Sequence, residues 1–414
     1  MKKLESILSW LALSIVFGFT LSATAAETSP APKIHLPDPP DEGLPLAQCF
    51  DYNMKDKSVY AGRYYFVWGA KSPEQPSPIV ACSYLPIGRD YATDLKRNLK
   101  WWKANHPDWI VYQADRATPA WGFTYSNKEC VPLDYSNPDV REWYFENLVM
   151  PLVKAGWKMI GFDNCDSACL NWDKRSGRYD RNGNWIQMYT DDKRKGNDPR
   201  TANDLVDWLK YLSTRLHSSG VGIAANIAVM QLNRNPDATR RAVEAVDLLC
   251  DEGGFTWHRN ANITDEQWKS KVAFLRQVLP HKLYMCSNQT CISSLAAASH
   301  EQVAYAIGSF LIVREKGSML CLNGVNEYGV YLDRPELNVK IGSPVEPPTP
   351  LSSGVWQRKY TGGLVLVNPS SKKAGAVDLP SGVWQDFGAG KELKGKIELP
   401  PDRAMVLLHK VEEK

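Results

Sequence analysis

The acidic residues that close two apolar runs are the groups in this chain best placed to do chemistry. One run, Lys158-Met159-Ile160-Gly161-Phe162-Asp163-Asn164, ends in a carboxylate; a second, Asp247-Leu248-Leu249-Cys250-Asp251-Glu252, ends in two. Short apolar runs bounded by polar residues and glycine predict buried strands. Strand alternation puts Met159, Gly161 and Asp163 on one face. In the second run the choice lies between Asp251 and Glu252. Placing Glu252 inward carries Leu248 and Cys250 with it, whereas placing Asp251 inward would bury Asp247 without an obvious partner, at a cost of several kcal/mol. Glu252 is therefore favoured, with Asp251 as the alternative.

Two carboxylates facing each other across a gap can divide the work of glycosidic bond cleavage. The ionised one attacks or stabilises an oxocarbenium-like centre, and the protonated one gives the leaving oxygen its proton. Asp163 is the candidate nucleophile, and Glu252 or Asp251 the candidate acid/base. Either acid alone could equally cap a helix or bind a cation. The pair, followed by Gly253-Gly254 where a backbone can approach a ligand closely, is what points to catalysis.

Other expected strand ends carry hydrogen-bonding groups suited to a polyhydroxylated ligand: Asp115, Asp134, Asn164, Asn226, Asn288 and Asn323. Asp134 and Asn164 could instead satisfy turn backbone. Among 15 Trp and 18 Tyr, Trp68, Trp121, Tyr125, Trp172 and Trp185 fall at strand ends or in rim loops, where a sugar face could stack. Any single Trp is more often core.

These groups need a sheet that gathers its strand ends on one rim. The pattern predicts strands at 64–68, 109–113, 131–135, 158–163, 221–227, 247–252, 282–286 and 319–323. Helices are expected at 92–104, 140–155, 202–216, 238–243, 265–278 and 301–313. Such alternation predicts an α/β fold, the (β/α)8 TIM barrel, whose chemistry sits at the carboxyl ends of the strands. Ser136-Asn137-Pro138-Asp139 supplies a cap, a first-turn proline and an acid for one helix start. In the polar insertion 171–200, Asn182-Gly183 predicts a hairpin. Asp180-x-Asn182-x-Asn184 lacks the glycine and closing glutamate of a calcium loop, so a solvent-exposed hairpin is favoured there.

Domain boundaries follow composition. Lys2 and Lys3, the apolar run 7–21 and Ala23-Thr24-Ala25-Ala26 read as an export signal over 1–26, implying a periplasmic or extracellular protein. No other apolar run approaches the roughly 20 residues that span a bilayer, so no membrane association is expected beyond that signal. A Pro-rich linker is expected at 27–47, the barrel at 48–341, and a small C-terminal antiparallel β-sandwich at 342–414, from the short apolar runs 364–367, 376–379, 396–399 and 405–408.

A net charge of +3 is too small to argue for nucleic acid. Nine cysteines leave at least one thiol unpaired; Cys165 with Cys169 and Cys286 with Cys291 are close enough in sequence to pair, while Cys250 and Cys321 read as buried free thiols. With no C-x-x-C and no His/Cys cluster of zinc spacing, neither a metal nor a cofactor is expected.

On Leu133-Asp134-Tyr135-Ser136-Asn137-Pro138, Gly161-Phe162-Asp163-Asn164, Asp251-Glu252-Gly253-Gly254-Phe255 and Gly363-Leu364-Val365-Leu366-Val367-Asn368-Pro369, the chain resembles the hypothetical glycoside hydrolase-like TIM barrels. It is most similar to the provisional glycosyl-hydrolase-like family fifteen, related in pattern to α-galactosidase-type barrels, over most of 64–408. In such enzymes an acid after strand four is the nucleophile and one after strand six the acid/base, which implies Asp163 and either Asp251 or Glu252. The resemblance implies a glycoside hydrolase, which with the export signal gives an exported enzyme acting on a poly- or oligosaccharide, with neither sugar nor oligomeric state specified. The alternative is a non-catalytic carbohydrate-binding barrel using the same rim. A lyase or phosphodiesterase on this fold is disfavoured by the missing basic or metal cluster.

Overall fold

In the computed structural model, residues 43–54, 62–90, 97–120, 130–165, 176–189, 198–227, 229, 235–257, 261–289, 294–324, 327–330 and 334–410 are described. The expected export signal, Trp121, Tyr125, Trp172, Cys169 and Cys291 lie outside them.

In chain order the first part comprises β1 (Leu46–Cys49), β2 (Tyr64–Trp68), β3 (Val80–Ala81), β4 (Leu85–Pro86), β5 (Arg89–Asp90), α1 (Leu99–Asn105), β6 (Val131–Pro132), α2 (Pro138–Tyr144), α3 (Met150–Lys154) and β7 (Met159–Asp163). It continues with β8 (Gly177–Tyr179), β9 (Trp185–Gln187), α4 (Pro199–Ser218), β10 (Gly222–Asn226), α5 (Pro236–Glu244) and β11 (Leu248–Glu252). Then come β12 (Thr256–Trp257), β13 (Ala261–Asn262), α6 (Asp265–Val278), β14 (Leu283–Gln289), α7 (His300–Val313) and β15 (Ser318–Asn323).

Nine of these strands form one parallel sheet in the order β3-β2-β1-β15-β14-β11-β10-β7-β4. Its two edge strands, β3 and β4, are separated only by Cys82, Ser83 and Tyr84. The Cys82 N–H donates to Val67 O of β2 at 2.9 Å, and the Ser83 N–H donates to Met159 O of β7 at 3.1 Å. The sheet is therefore curled, with both edges brought to one stretch of chain.

Curling divides the side chains into two layers. Ala47, Cys49, Phe66, Trp68, Cys82, Met159, Ala224, Leu248, Cys250, Met285, Met319 and Cys321 form an inner cluster. The intervening positions, such as Val67, Ile160, Phe162, Ile223, Leu249 and Tyr284, join the cluster that includes the helices. The inner layer needs small residues where the sheet is tightest: a Cβ on Gly161 would lie 2.5 Å from Ser83 O and 3.0 Å from the Trp68 ring.

Two expected strands are corrected. The segments at 109–113 and 131–135 stand outside the parallel sheet: Ile110 bridges Leu133 antiparallel, and Val131–Pro132 pairs antiparallel with Arg89–Asp90. Pro132 has no N–H for a central ladder. Their places are taken by β1, which lies partly within the stretch expected as linker, and by the irregular segment 80–86. From 159 to 323 the expected helices and strands coincide with the observed ones to within a few residues. The Asn182-Gly183 hairpin also forms, as β8 and β9, and Asp180 accepts from the N–H groups of Asn182 and Asn184, each at 2.8 Å.

The C-terminal part contains β16 (Thr349–Pro350), β17 (Trp356–Tyr360), β18 (Gly363–Asn368), β19 (Gly375–Asp378), β20 (Trp384–Asp386), β21 (Glu392–Leu393), β22 (Lys396–Leu399) and β23 (Arg403–His409). Six strands form an antiparallel sheet, β16-β17-β18-β23-β20-β21, and β19 pairs with β22. One face of the larger sheet packs on Leu399 and Val377. The other, through Val365, Val367, Ala404 and Val406, joins the core that contains α7. Every residue of α7 from Val303 to Val313 is buried, as fits a helix that is predominantly apolar on all sides after its first turn. The buried Arg358 donates to Leu311 O, Ile312 O and Arg314 O at the end of that helix, satisfying carbonyls that have no intrahelical partner.

Candidate active site

Three neighbouring strands, β7, β10 and β11, bring one inward-facing polar residue each to the carboxyl rim. Gly156, at φ 93°, ends the helix before β7 and lets Met159–Asp163 run as a buried strand. Parallel pairing sets the register, Ala224 beside Gly161 and Asn226 beside Cys250. Asp163, Asn226 and Glu252 consequently line one cavity of about 230 Å³, together with Cys49, Phe50, Trp68, Tyr84, Asn164, Cys250 and Tyr328.

The polar groups form one hydrogen-bonded chain. Asn226 Nδ2 donates to Asp163 Oδ1 at 2.7 Å and to Glu252 Oε2 at 2.8 Å. The other Asp163 oxygen accepts from the Tyr84 hydroxyl at 2.5 Å and from Asn164 Nδ2 at 2.6 Å. The other Glu252 oxygen accepts from the Tyr328 hydroxyl at 2.5 Å. Asn164 holds its amide there with φ at 60°, in the left-handed region that asparagine tolerates better than most residues.

Electrostatics separates the two acids. Burial raises both carboxyl pKa values above the ordinary range. Asn226, the buried Arg89 and Asn164 pull Asp163 back toward the ionised form. Glu252 is pushed up further by the negative charge of Asp163, against smaller opposing effects from Tyr328 and Asn226. Asp163 thus has a neighbouring cation that supports its charge, whereas Glu252 has a neighbouring anion that opposes one. Tyr328 is itself held protonated by burial and by Glu252.

Of the residues singled out from sequence, Asp163, Glu252, Trp68, Asn164 and Asn226 share this cavity. Asp251 does not. It faces outward, fully buried, paired with Lys271 Nζ at 2.7 Å and accepting from the Tyr284 hydroxyl at 2.9 Å, because strand alternation leaves only one of two consecutive acids inside. Asn288 faces outward as well, accepting from the Phe255 N–H at 2.7 Å. Asp115 caps its own exposed turn through Ala117 and Thr118. Asp134 is paired with Arg178 at 2.9 Å and accepts from Ser136, so its turn consumes it. Both correct positions assigned on the two misplaced strands. Asn323 lines a separate small cavity with Glu327 and Val330.

Tyr84, Tyr328 and Phe50 were not singled out. Tyr84 lies between the two edge strands and Tyr328 in the loop after β15, so neither ends a recognisable apolar run. Gly329, at φ 74°, was the available sign of a tight turn beside Tyr328. Among the described residues, no group of three His, Cys, Asp or Glu side chains is arranged to hold a metal ion.

Comparison with known proteins places these features in context. A search of curated proteins found no match. Solved structures resemble the chain distantly. A maltogenic α-amylase from Thermotoga neapolitana is 10% identical, with 80% of this chain and 78% of that one covered and a TM-score of 0.40. A GH31 dextranase from Flavobacterium johnsoniae, complexed with isomaltotriose, is 11% identical, with 90% and 52% covered and a TM-score of 0.43. A GH36 α-galactosidase from Geobacillus stearothermophilus is 10% identical, with 80% and 45% covered and a TM-score of 0.36. This chain spans about half the length of the last two. The family model for hypothetical glycosyl hydrolase family 15 matches residues 81–364, well over half of the sequence and including both cavity acids, and the chain belongs to that family.

Proposed function

We propose that the protein is an exported glycoside hydrolase that cleaves an oligo- or polysaccharide with retention of anomeric configuration. The observation that carries this reading is the single Asn226 nitrogen bonded to both acids. Two oxygens that share one nitrogen at 2.7 and 2.8 Å can be no further apart than the sum of those distances. Oxygens held that close favour the roughly 5–5.5 Å carboxyl separation of retaining enzymes over the roughly 6.5–9.5 Å that accommodates a water in inverting ones.

In the proposed cycle, Asp163 attacks the anomeric carbon while Glu252 protonates the glycosidic oxygen, so the C–O bond breaks as the Asp163 ester forms. Water then attacks that carbon, Glu252 takes the water's proton, and both carboxyl groups return to their starting states. Asn226 and Tyr84 hold the nucleophile's oxygens in place throughout.

The sheet is best read as a closed eight-fold barrel, with 80–86 as one irregular strand; the bonds from Cys82 to β2 and from Ser83 to β7 support this. The charged and apolar opening stretch supports export, and the change from parallel to antiparallel pairing after β15 supports a domain boundary near 342. The test is a screen against aryl glycosides and dyed polysaccharides, followed by 2-deoxy-2-fluoro glycoside labelling. A covalent adduct on Asp163, absent from Asp163→Asn, is expected; an active enzyme that inverts, or one labelled elsewhere, refutes the mechanism.

A further inference from the structure

The loop that leaves β1 holds an arrangement that the two acids do not explain. Phe50 adopts φ 59°, the left-handed region in which a bulky side chain is an outlier that its surroundings must enforce. Gly69 makes the space: a Cβ there would lie 2.4 Å from the Phe50 ring. The buried Asp51 anchors the loop, accepting from the Lys71 N–H at 2.9 Å and from Gln75 Nε2 at 3.2 Å. The loop after β15 ties it from the other side. Gly329 N–H donates to Cys49 O at 2.7 Å, Gln48 Nε2 to Val330 O at 2.9 Å, and Asn53 Nδ2 to Tyr328 O at 3.4 Å.

These constraints set the Phe50 ring into the cavity wall, with centroids 5.7 Å from Tyr84 and 5.5 Å from Tyr328. The next ring outward is Tyr52, 5.8 Å from Phe50 and 46% exposed. It is braced by the Lys71 ammonium, 5.9 Å from its centroid, while glycine at 329 leaves room beside it. A line of aromatic rings thus runs from the two phenols bonded to the acids out to the exposed Tyr52.

We propose that Tyr52 is the stacking platform for the sugar unit adjoining the one held between Asp163 and Glu252. The protein would then favour an oligosaccharide or longer chain over a glycoside with a single sugar. This rests on the glycosidase reading of the cavity and adds a second subsite to it. The occupant is a sugar ring because the exposed phenol offers a flat apolar face beside a hydroxyl, one ring beyond Phe50 in the wall of a cavity lined by hydrogen-bonding groups.

The test compares full-length wild type, Tyr52→Ala and Tyr52→Trp on p-nitrophenyl α- and β-glucosides and galactosides and on the matching trisaccharides. For Tyr52→Ala, the ratio of kcat/KM on trisaccharide to that on the aryl glycoside should fall roughly ten-fold, mostly through KM, and Tyr52→Trp should restore it. An unchanged ratio overturns the proposal. Should wild type cleave nothing in the panel, the catalytic reading fails, and the platform is read by glycan-array capture instead. Selective loss of oligosaccharide capture by Tyr52→Ala upholds it; equal capture, or none by either protein, overturns it.

Discussion

The Tyr328 hydroxyl donates to Glu252 at 2.5 Å across 76 residues of sequence, joining the loop after β15 to the end of β11. That bond favours the ionised form of Glu252, against burial and against the charge of Asp163, both of which raise its pKa. Tyr328→Phe removes the opposing effect, so the pKa of Glu252 should rise further. An acid catalyst works while protonated, and activity is lost as pH climbs through its pKa. The alkaline limb of the kcat/KM profile should therefore move to higher pH, and a shift to lower pH would contradict the assignment of Glu252 as acid.

Asn226→Ala should cost more. Without its two donated bonds the acids face each other with nothing between them, and Asp163 loses a donor that favours its charge. Loss of one preorganised donor suggests a fall in kcat of roughly a hundred-fold or more, with circular dichroism unchanged. A purely structural role would instead appear as a lower melting temperature with kcat retained in the folded fraction.

Lys271→Met tests the buried pair behind the site. Asp251 would keep the Tyr284 hydroxyl but lose the ammonium at 2.7 Å, a change expected to destabilise by roughly 3–5 kcal/mol in denaturant titration. The double variant Asp251→Leu with Lys271→Met should recover much of that loss, because no unpaired charge remains.

Gly161→Ala probes the inner layer. The added methyl would meet Ser83 O at 2.5 Å and Cys82 Sγ at 2.8 Å, backbone and core atoms with little room to move. Overpacking of this kind costs about 1–3 kcal/mol. Because Asp163 lies two residues further along the same face, kcat should fall together with the melting temperature.

The readable and unreadable parts of the sequence differ for physical reasons. β7, β10, β11, β14 and β15 are apolar runs between helices, and alternation alone places Glu252 on the same layer as Leu248 and Cys250. It also turns Asp247 outward, where His217 Nε2 lies 2.8 Å away, so the carboxylate whose burial argued against Asp251 has a partner after all. β1 and 80–86 were unreadable because they are short, the first following Pro45 and the second ending in Pro86. The segments at 109–113 and 131–135 imitated strands, since antiparallel bridges outside the main sheet select the same apolar residues. Two strands missed and two wrongly included cancel, so Asp163 still ends the fourth segment and Glu252 the sixth when 80–86 is counted as one. Tyr84 reaches Asp163 from an irregular segment paired with β7, and Tyr328 reaches Glu252 from the loop after β15, so neither contact is marked by an apolar run.

Because α7 has no solvent face beyond its first turn, the C-terminal sheet cannot be shed like an appended sugar-binding module. Cutting the chain ahead of Thr349 would uncover the side of the helix where Gly308 abuts Ala404 and Val367, and would strip the Arg358 guanidinium from its last turn. The remnant would stick to its own kind before it could work as a smaller enzyme. Exchanging the tail for another module would therefore require redesign of this helix as well.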